Sequence, residues 1–204
     1  MTFGGMKPMV AGMHRMAAPL AAVLLLGGCL SFGGKVPDSL LSLTPTSSVP
    51  SGTTISGDIA RAIAVEEPET PAKLANTRVP VQMDDTNIAY VKDAVWVDKP
   101  SRLFRRLLGE TIRARGNRLV IDHDDPALTP TNQLRGTLID FGYDARTSSV
   151  VVTYDAVRDV NGTQVTTRRF SATVPGVTPE AAPVGAALNR AANDVAGQVA
   201  DWVG

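Results

Sequence analysis

QLRGTLIDFGYD at 133–144 and SVVVTYDAVRDVNGTQVTTRRFSATV at 149–174 decide the fold. Both stretches are rich in β-branched and aromatic residues, which favour extended chain. The second is split by Asn161-Gly162, a dipeptide that readily takes the two positive-φ positions of a tight hairpin turn. Together they predict three successive antiparallel strands. Asn161-Gly162-Thr163 also meets the glycosylation sequon, but the turn accounts for the same residues more simply.

Toward the C-terminus the period changes. From about Pro179 to Val203 the residues Val184, Leu188, Ala191, Val195, Val199 and Trp202 form a narrow apolar stripe, which predicts a helix. Toward the N-terminus a second helix is expected between Asp98, a capping residue type, and Gly116, with Pro100 in its first turn. Leu103, Phe104, Leu107, Leu108 and Thr111 fall on one arc of that helix. Arg102, Arg105, Arg106, Glu110 and Arg113 fall on the other, which reads as a solvated face before it reads as a grip for acidic partners.

The other elements are shorter. SLLSLTP at 39–45 is a strand candidate ended by proline, and TPTSSVPSGTT at 44–54 has loop composition. Ile59, Ile63 and Val65 lie on one side of an extended run, as in a half-buried strand. EEPETPAKLAN at 66–76 reads as a surface excursion. RVPVQMD and NIAYVKD are paired strand candidates joined by the Asp-Asp-Thr of 84–86, with Val79, Val81 and Met83 at period two. Pro80 lacks an N–H, so the first of these is expected at a sheet edge or a bulge. NRLVIDHDDP at 117–126 is a strand running into a turn. Two helices covering one face of a mostly antiparallel sheet make an α+β two-layer domain.

Composition agrees with a single such domain: 204 residues, 44% hydrophobic, 20 basic against 20 acidic side chains. That balance excludes the basic excess expected of a nucleic-acid-binding protein. The first 28 residues differ, with no Asp or Glu, five of the six methionines, and both Lys7 and Arg15. An apolar run from Ala17 to Leu26 and the small pair Gly27-Gly28 complete the pattern of a secretory signal peptide. The run is about half of the ~20 residues that a bilayer-spanning helix requires.

Cys29 follows directly and is the only cysteine, so no disulfide can form within the chain. Leu26-Gly27-Gly28-Cys29 resembles the bacterial lipobox, in which small residues admit the signal peptidase and the thiol takes up a diacylglyceryl group. Cleavage after Gly28 and lipidation of Cys29 are expected. In the lipoproteins this resembles, an aspartate after the cysteine retains the protein at the inner membrane. The residue here is Leu30, which favours an outer-membrane anchor facing the periplasm. Acyl chains contribute about 0.8 kcal/mol per buried methylene, so attachment needs no help from the fold. The expected organisation is a signal peptide over 1–28, a lipidated tether over 29–37 and one α+β domain over 38–204.

Catalytic signals are sparse. No G-x-S-x-G, His pair at helical spacing or second cysteine occurs. Gly34-Lys35 is not a phosphate-binding loop, because Cys29 and Val36 stand where glycine and Ser or Thr are needed. His123 lies among Asp122, Asp124 and Asp125, but successive residues in a strand or turn point apart, and turn chemistry explains the aspartates. No catalytic residue, metal ligand or cofactor is assigned.

LLSLTP at 40–45, VPVQMDDTNIAYVKDAVWVDKPSRLFRRLLGETI at 79–112, and RRFSATVPG with AALNRAANDVAGQVADWV at the C-terminal end resemble the ABC-type transport auxiliary lipoproteins. Many relatives have Tyr-x-Leu in the first segment, where this chain has Leu41-Ser42-Leu43. The resemblance implies a non-catalytic component of a transport system whose substrate-binding protein carries mammalian-cell-entry (MCE) domains. Such systems move phospholipid or other apolar molecules between the inner and outer membranes. It implies as partners the MCE protein, the ABC permease and ATPase, and the membrane through N-terminal acyl chains, and it allows a homo-oligomer. Two other classes stay open on sequence alone: an envelope assembly or scaffolding lipoprotein, and a periplasmic hydrolase.

Mass spectrometry of the mature N-terminus is expected to find an acylated Cys29, and Cys29→Ala to leave the protein unprocessed or released from the membrane. An unmodified Cys29 in a membrane-bound, full-length chain is the contrary result.

Overall fold

Alternation of buried and less buried side chains along two of the long strands and the second half of the third sets the architecture. The computed structural model describes residues 1, 2, 4, 5, 39–116, 118–122 and 130–204. The chain divides into two units, Met1–Val36 and Pro37–Gly204, and the elements below belong to the second. They are β1 (Ile63–Val65), β2 (Arg78–Gln82), β3 (Ile88–Val95), α1 (Pro100–Gly116), β4 (Val120–Ile121), β5 (Asn132–Asp144), β6 (Ser149–Val160), β7 (Gln164–Val174) and α2 (Ala181–Val203).

The meander β5–β6–β7 is the expected one. β6 runs antiparallel to β5 with Leu138 opposite Tyr154 and Tyr143 opposite Val150, and to β7 with Tyr154 opposite Phe170. Asn161 (φ 55°) and Gly162 (φ 65°) take the two left-handed positions of the hairpin turn. On the other side of β5, β1 pairs in parallel with residues 132–134 and β2 with residues 143–144. β4 adds in parallel outside β1, and β3 antiparallel outside β2.

One face of this sheet is apolar, and both helices cover it. Phe104 of α1 meets Tyr154 of β6 at 5.3 Å and Phe141 of β5 at 6.4 Å between ring centroids, and Trp96, just before α1, meets Phe141 at 5.4 Å. Tilted and edge-to-face pairs of this kind add about 0.5–1.5 kcal/mol each beyond the area they bury. Leu103, Leu107, Leu108 and Ile112 extend α1's contact, while Val184, Leu188, Val195 and Val199 seat α2. The domain is α+β, a mostly antiparallel sheet with two helices on one face.

Several local expectations are corrected. Ile59 is exposed and belongs to a 3-10 turn at Ile59–Arg61 capped by the Asp58 side chain; the strand begins only at Ile63. Of the two places expected for Pro80, an edge or a bulge, the structure has the second: β2 lies between β3 and β5, and a bulge-type register shift between Arg78 and Pro80 accommodates the missing N–H. Met83 is past the end of β2 and exposed. The 39–45 segment is no strand but a single bridge of Leu41 to Trp96. The 66–76 excursion is not all surface: Glu69 joins the β5 ladder and Leu74 is buried.

Two helix details also differ. Leu103 N–H bonds the carbonyl of Lys99, not of Asp98, whose carboxylate instead accepts from the Lys99 amide. α2 starts at Ala181 and buries more than a stripe, since Ala187, Ala192, Ala196 and Ala200 add a second apolar row against its neighbours. Trp202 is half-buried, edge-on to Phe170 at 5.5 Å, and Val203 takes the buried position. His123, Asp124 and Asp125 lie outside the described residues.

Leu107 is 2% exposed, so Leu107→Ala is expected to cost about 2–5 kcal/mol in urea melts. The Arg106 side chain is 68% exposed, and Arg106→Ala is expected to shift stability by no more than about 0.5 kcal/mol. Equal effects would contradict the orientation of α1.

Candidate functional site

Gly28 and Cys29, the residues expected to be cleaved and lipidated, lie outside the described residues. What the structure does show is how the chain enters the domain. Leu41 is held against the end of β3, its N–H on the Val95 carbonyl at 2.7 Å and its own carbonyl accepting from Val97 at 2.9 Å. Its side chain fills the space over Gly185, where an added Cβ would come within 2.5 Å of it. A larger residue there would oblige the Leu41 side chain to move.

Beyond Leu41 the chain becomes a strap across both helices. Asn189 Oδ1 accepts from Thr44 N–H at 2.8 Å, while Asn193 donates to the Thr44 carbonyl at 2.9 Å and accepts from Thr46 N–H at 2.8 Å. Asn193 offers one donor and one acceptor at once, as a neighbouring strand's backbone would. Glu110 of α1 takes the next link, accepting from Val49 N–H at 2.7 Å. A reading of 44–54 as loop misses these clips. The available signal was Asn189 and Asn193, four apart on a helix otherwise rich in Ala and Val.

The arginines expected on a solvated face of α1 divide into two groups. Arg102 and Arg106 are exposed and lie 3.6 Å from the Asp98 carboxylate. Arg105 instead donates to the Val65 carbonyl at 2.8 Å, and Arg113 to Glu110 at 2.7 Å and Asp122 at 3.1 Å, bracing the sheet. Three further arginines gather at the end of α2. Arg118 donates to Val203 O at 2.9 Å, Arg158 to Trp202 O at 3.3 Å and Arg115 to Gly197 O at 3.2 Å. Arg118 and Arg158 satisfy last-turn carbonyls without intrahelical partners, and all three cations oppose the negative end of the helix dipole. Partial burial, then the repulsion of Arg158, lowers the Arg118 pKa from its ordinary value.

The sheet face away from the helices carries a polar cleft of about 240 Å³, lined by Lys73, Gln82, Asp85, Asp140, Asp144 and Arg146 among others. Phe141 and Tyr143 point into the core, so Asp140 and Asp144 alternate to this side. Lys73 bridges Asp140 at 2.6 Å, and Arg146 bridges Asp144 and Asp85, each at 2.7 Å. The Arg146 side chain, by hydrogen bonding, holds the Asp144 carboxyl below the usual carboxylate range. Among the described residues, no group of three or more His, Cys, Asp or Glu could hold a metal ion, and no helix is long and apolar enough to cross a membrane.

Next to the cleft, the β2–β3 turn is organised by Asp84. Its carboxylate accepts from the Thr86 and Asn87 amides, each at 2.9 Å, and from the Asn87 side chain. The Thr86 amide first, then the Asn87 side chain, bring its pKa down to about 2.

A family model described as ABC-type transport auxiliary lipoprotein component matches residues 41–200. A crystal structure of an uncharacterized protein aligns with a TM-score of 0.63 at 15% identity, covering 81% of this chain and 100% of that one. A Xanthomonas campestris protein of the DUF330 family aligns with a TM-score of 0.66 at 15% identity, covering 81% and 94% respectively. At that identity the two structures bear on the fold alone. No curated protein matches the sequence.

A folded-state pKa below the ordinary value means that the Asp84 turn contacts are complete above pH 3.8 and are lost as pH falls through about 2. Carbon-detected NMR titration of Asp84 is expected to give a midpoint near 2, with the Thr86 amide shift following it; a midpoint near 3.8 would show the turn bonds absent in solution.

Proposed function

We propose, for a chain that belongs to the family of ABC-type transport auxiliary lipoprotein components, a non-catalytic role in an MCE-type ABC system that moves phospholipid or other apolar molecules between the inner and outer membranes. In this reading residues 1–28 are removed after Gly28, Cys29 is acylated in the outer membrane, 29–37 is the tether, and the domain from 38 to 204 faces the periplasm. Its partners are the MCE-domain protein and, through it, the permease and ATPase.

The observation that carries the reading is the extent of the family match, from the strap at 41 to residue 200 of α2, so that it includes both helices and the whole meander. Two physical points support it. The dozen residues between Cys29 and Leu41 span at most about 40 Å when extended, which keeps the domain close to its anchor. The Asn189, Asn193 and Glu110 clips then give the anchored chain a fixed path over the helices. A pull on the acyl end is thereby taken up by the α1–α2 layer rather than by one loose loop. The cleft, being polar and lined by paired charges, suits protein docking better than the carriage of an acyl chain.

Deleting the gene is expected to give the same envelope defect as deleting the MCE partner, such as sensitivity to detergents. A Cys29→Ser form held soluble in the periplasm should fold yet complement poorly. Full complementation by that form would show that fixation to the membrane is not needed, and a defect matching a cell-wall or assembly mutant instead would favour a scaffolding lipoprotein.

A further inference from the structure

The outer edge of β7 is a long run of sheet with no neighbouring strand among the described residues. β7 pairs only with β6, in unbroken register from Val150 opposite Val174 to Val160 opposite Gln164. The other edges are blunted. β4 has two residues, and β3 is distorted by Asp93 at φ 58° and by the register shift opposite β2. A free edge is normally guarded by charges, bulges or proline, because its unpaired N–H and C=O groups template another strand.

β7 has neither proline nor bulge, and its two charges do not guard it. Arg169 is drawn across the sheet onto Asp155, with bonds of 2.5 and 2.6 Å. Arg168 is laid on the opposite face over the Phe170 ring, 5.1 Å from its centroid. Both guanidiniums turn back over the sheet. The backbone of 164–169, whose side chains are all exposed, is left open, with Val165 57% exposed beside it.

The charge of the surroundings selects the occupant. β7 carries two arginines and no acidic residue. Arg168 has no carboxylate partner among the described residues, and Arg158, on the same face one row along, donates only to a neutral carbonyl. A second copy pairing through the same edge is disfavoured. In the antiparallel register that overlaps the strand in full, Gln164 opposite Val174, Arg168 faces Phe170, and a second β7, having no acidic residue, brings it no carboxylate.

We propose that the β7 edge over 164–169 receives an extended acidic segment of a partner protein as an added strand, with backbone bonds giving attachment and carboxylates facing Arg168 and Arg158 giving selectivity. This surface does not depend on the transport reading.

The test uses three labelled peptides: one alternating valine with glutamate, one alternating valine with lysine, and the glutamate peptide interrupted by prolines. Fluorescence anisotropy is expected to show the glutamate peptide binding roughly tenfold tighter than the lysine peptide, and the proline-interrupted peptide not binding. Hydrogen exchange should slow at amides of 164–169, and Arg168→Glu, an exposed change, should reverse the preference. Equal binding of the two charged peptides, no binding by either, protection confined elsewhere, or an unchanged preference in Arg168→Glu would each overturn the proposal. So would light scattering that shows self-association abolished by Arg168→Glu, since the edge would then join copies of this chain.

Discussion

Burial of a single sheet face is the constraint on which the rest of this structure depends. Trp96, Phe104, Phe141 and Tyr154 join the end of β3, α1, β5 and β6 at one place, and all four are among the largest fully buried side chains. Because the meander is apolar on that side only, both helices must lie there, and α2 must pack beside α1 rather than across the sheet from it. Fully burying one large apolar side chain is worth about 1.5–3 kcal/mol, against 0–1 kcal/mol for an exposed ion pair. The aromatic nucleus, not the many arginine pairs, therefore sets the arrangement.

The charged residues act at the margins of that core. Arginines 115, 118 and 158 close the end of α2, and Arg105 and Arg113 reach carbonyls at the ends of β1 and β4. Asparagines and a glutamate play the matching part on the helices, clipping the strap where no strand is available. The uncovered sheet face and the β7 edge are left to solvent or to partners.

What was legible in the sequence was what period and turn chemistry encode. The meander followed from Asn161-Gly162 and its flanking β-branched runs, and α1 from its apolar arc and the Gly116 end. What was not legible depended on distant partners. Ile59 has the right spacing for a strand, but Asp58 caps a 3-10 turn there. Pro80 signalled an edge or a bulge, and only the neighbouring strands decide for a bulge inside the sheet. Asn189 and Asn193 gain meaning only once the strap is laid over them. Arg168 and Arg169 look alike in sequence, and only the strand's alternation sends them to opposite faces.

The proposed role is that this domain docks, without catalysis, onto the MCE component of a lipid transporter. The most direct measurement is surface-immobilised binding of the domain to a purified MCE-domain protein of the same cell, with and without nucleotide. The account predicts saturable binding that is indifferent to nucleotide and does not need Cys29. Absence of binding to any MCE or permease component, with saturable binding to a cell-wall or assembly protein instead, would contradict it.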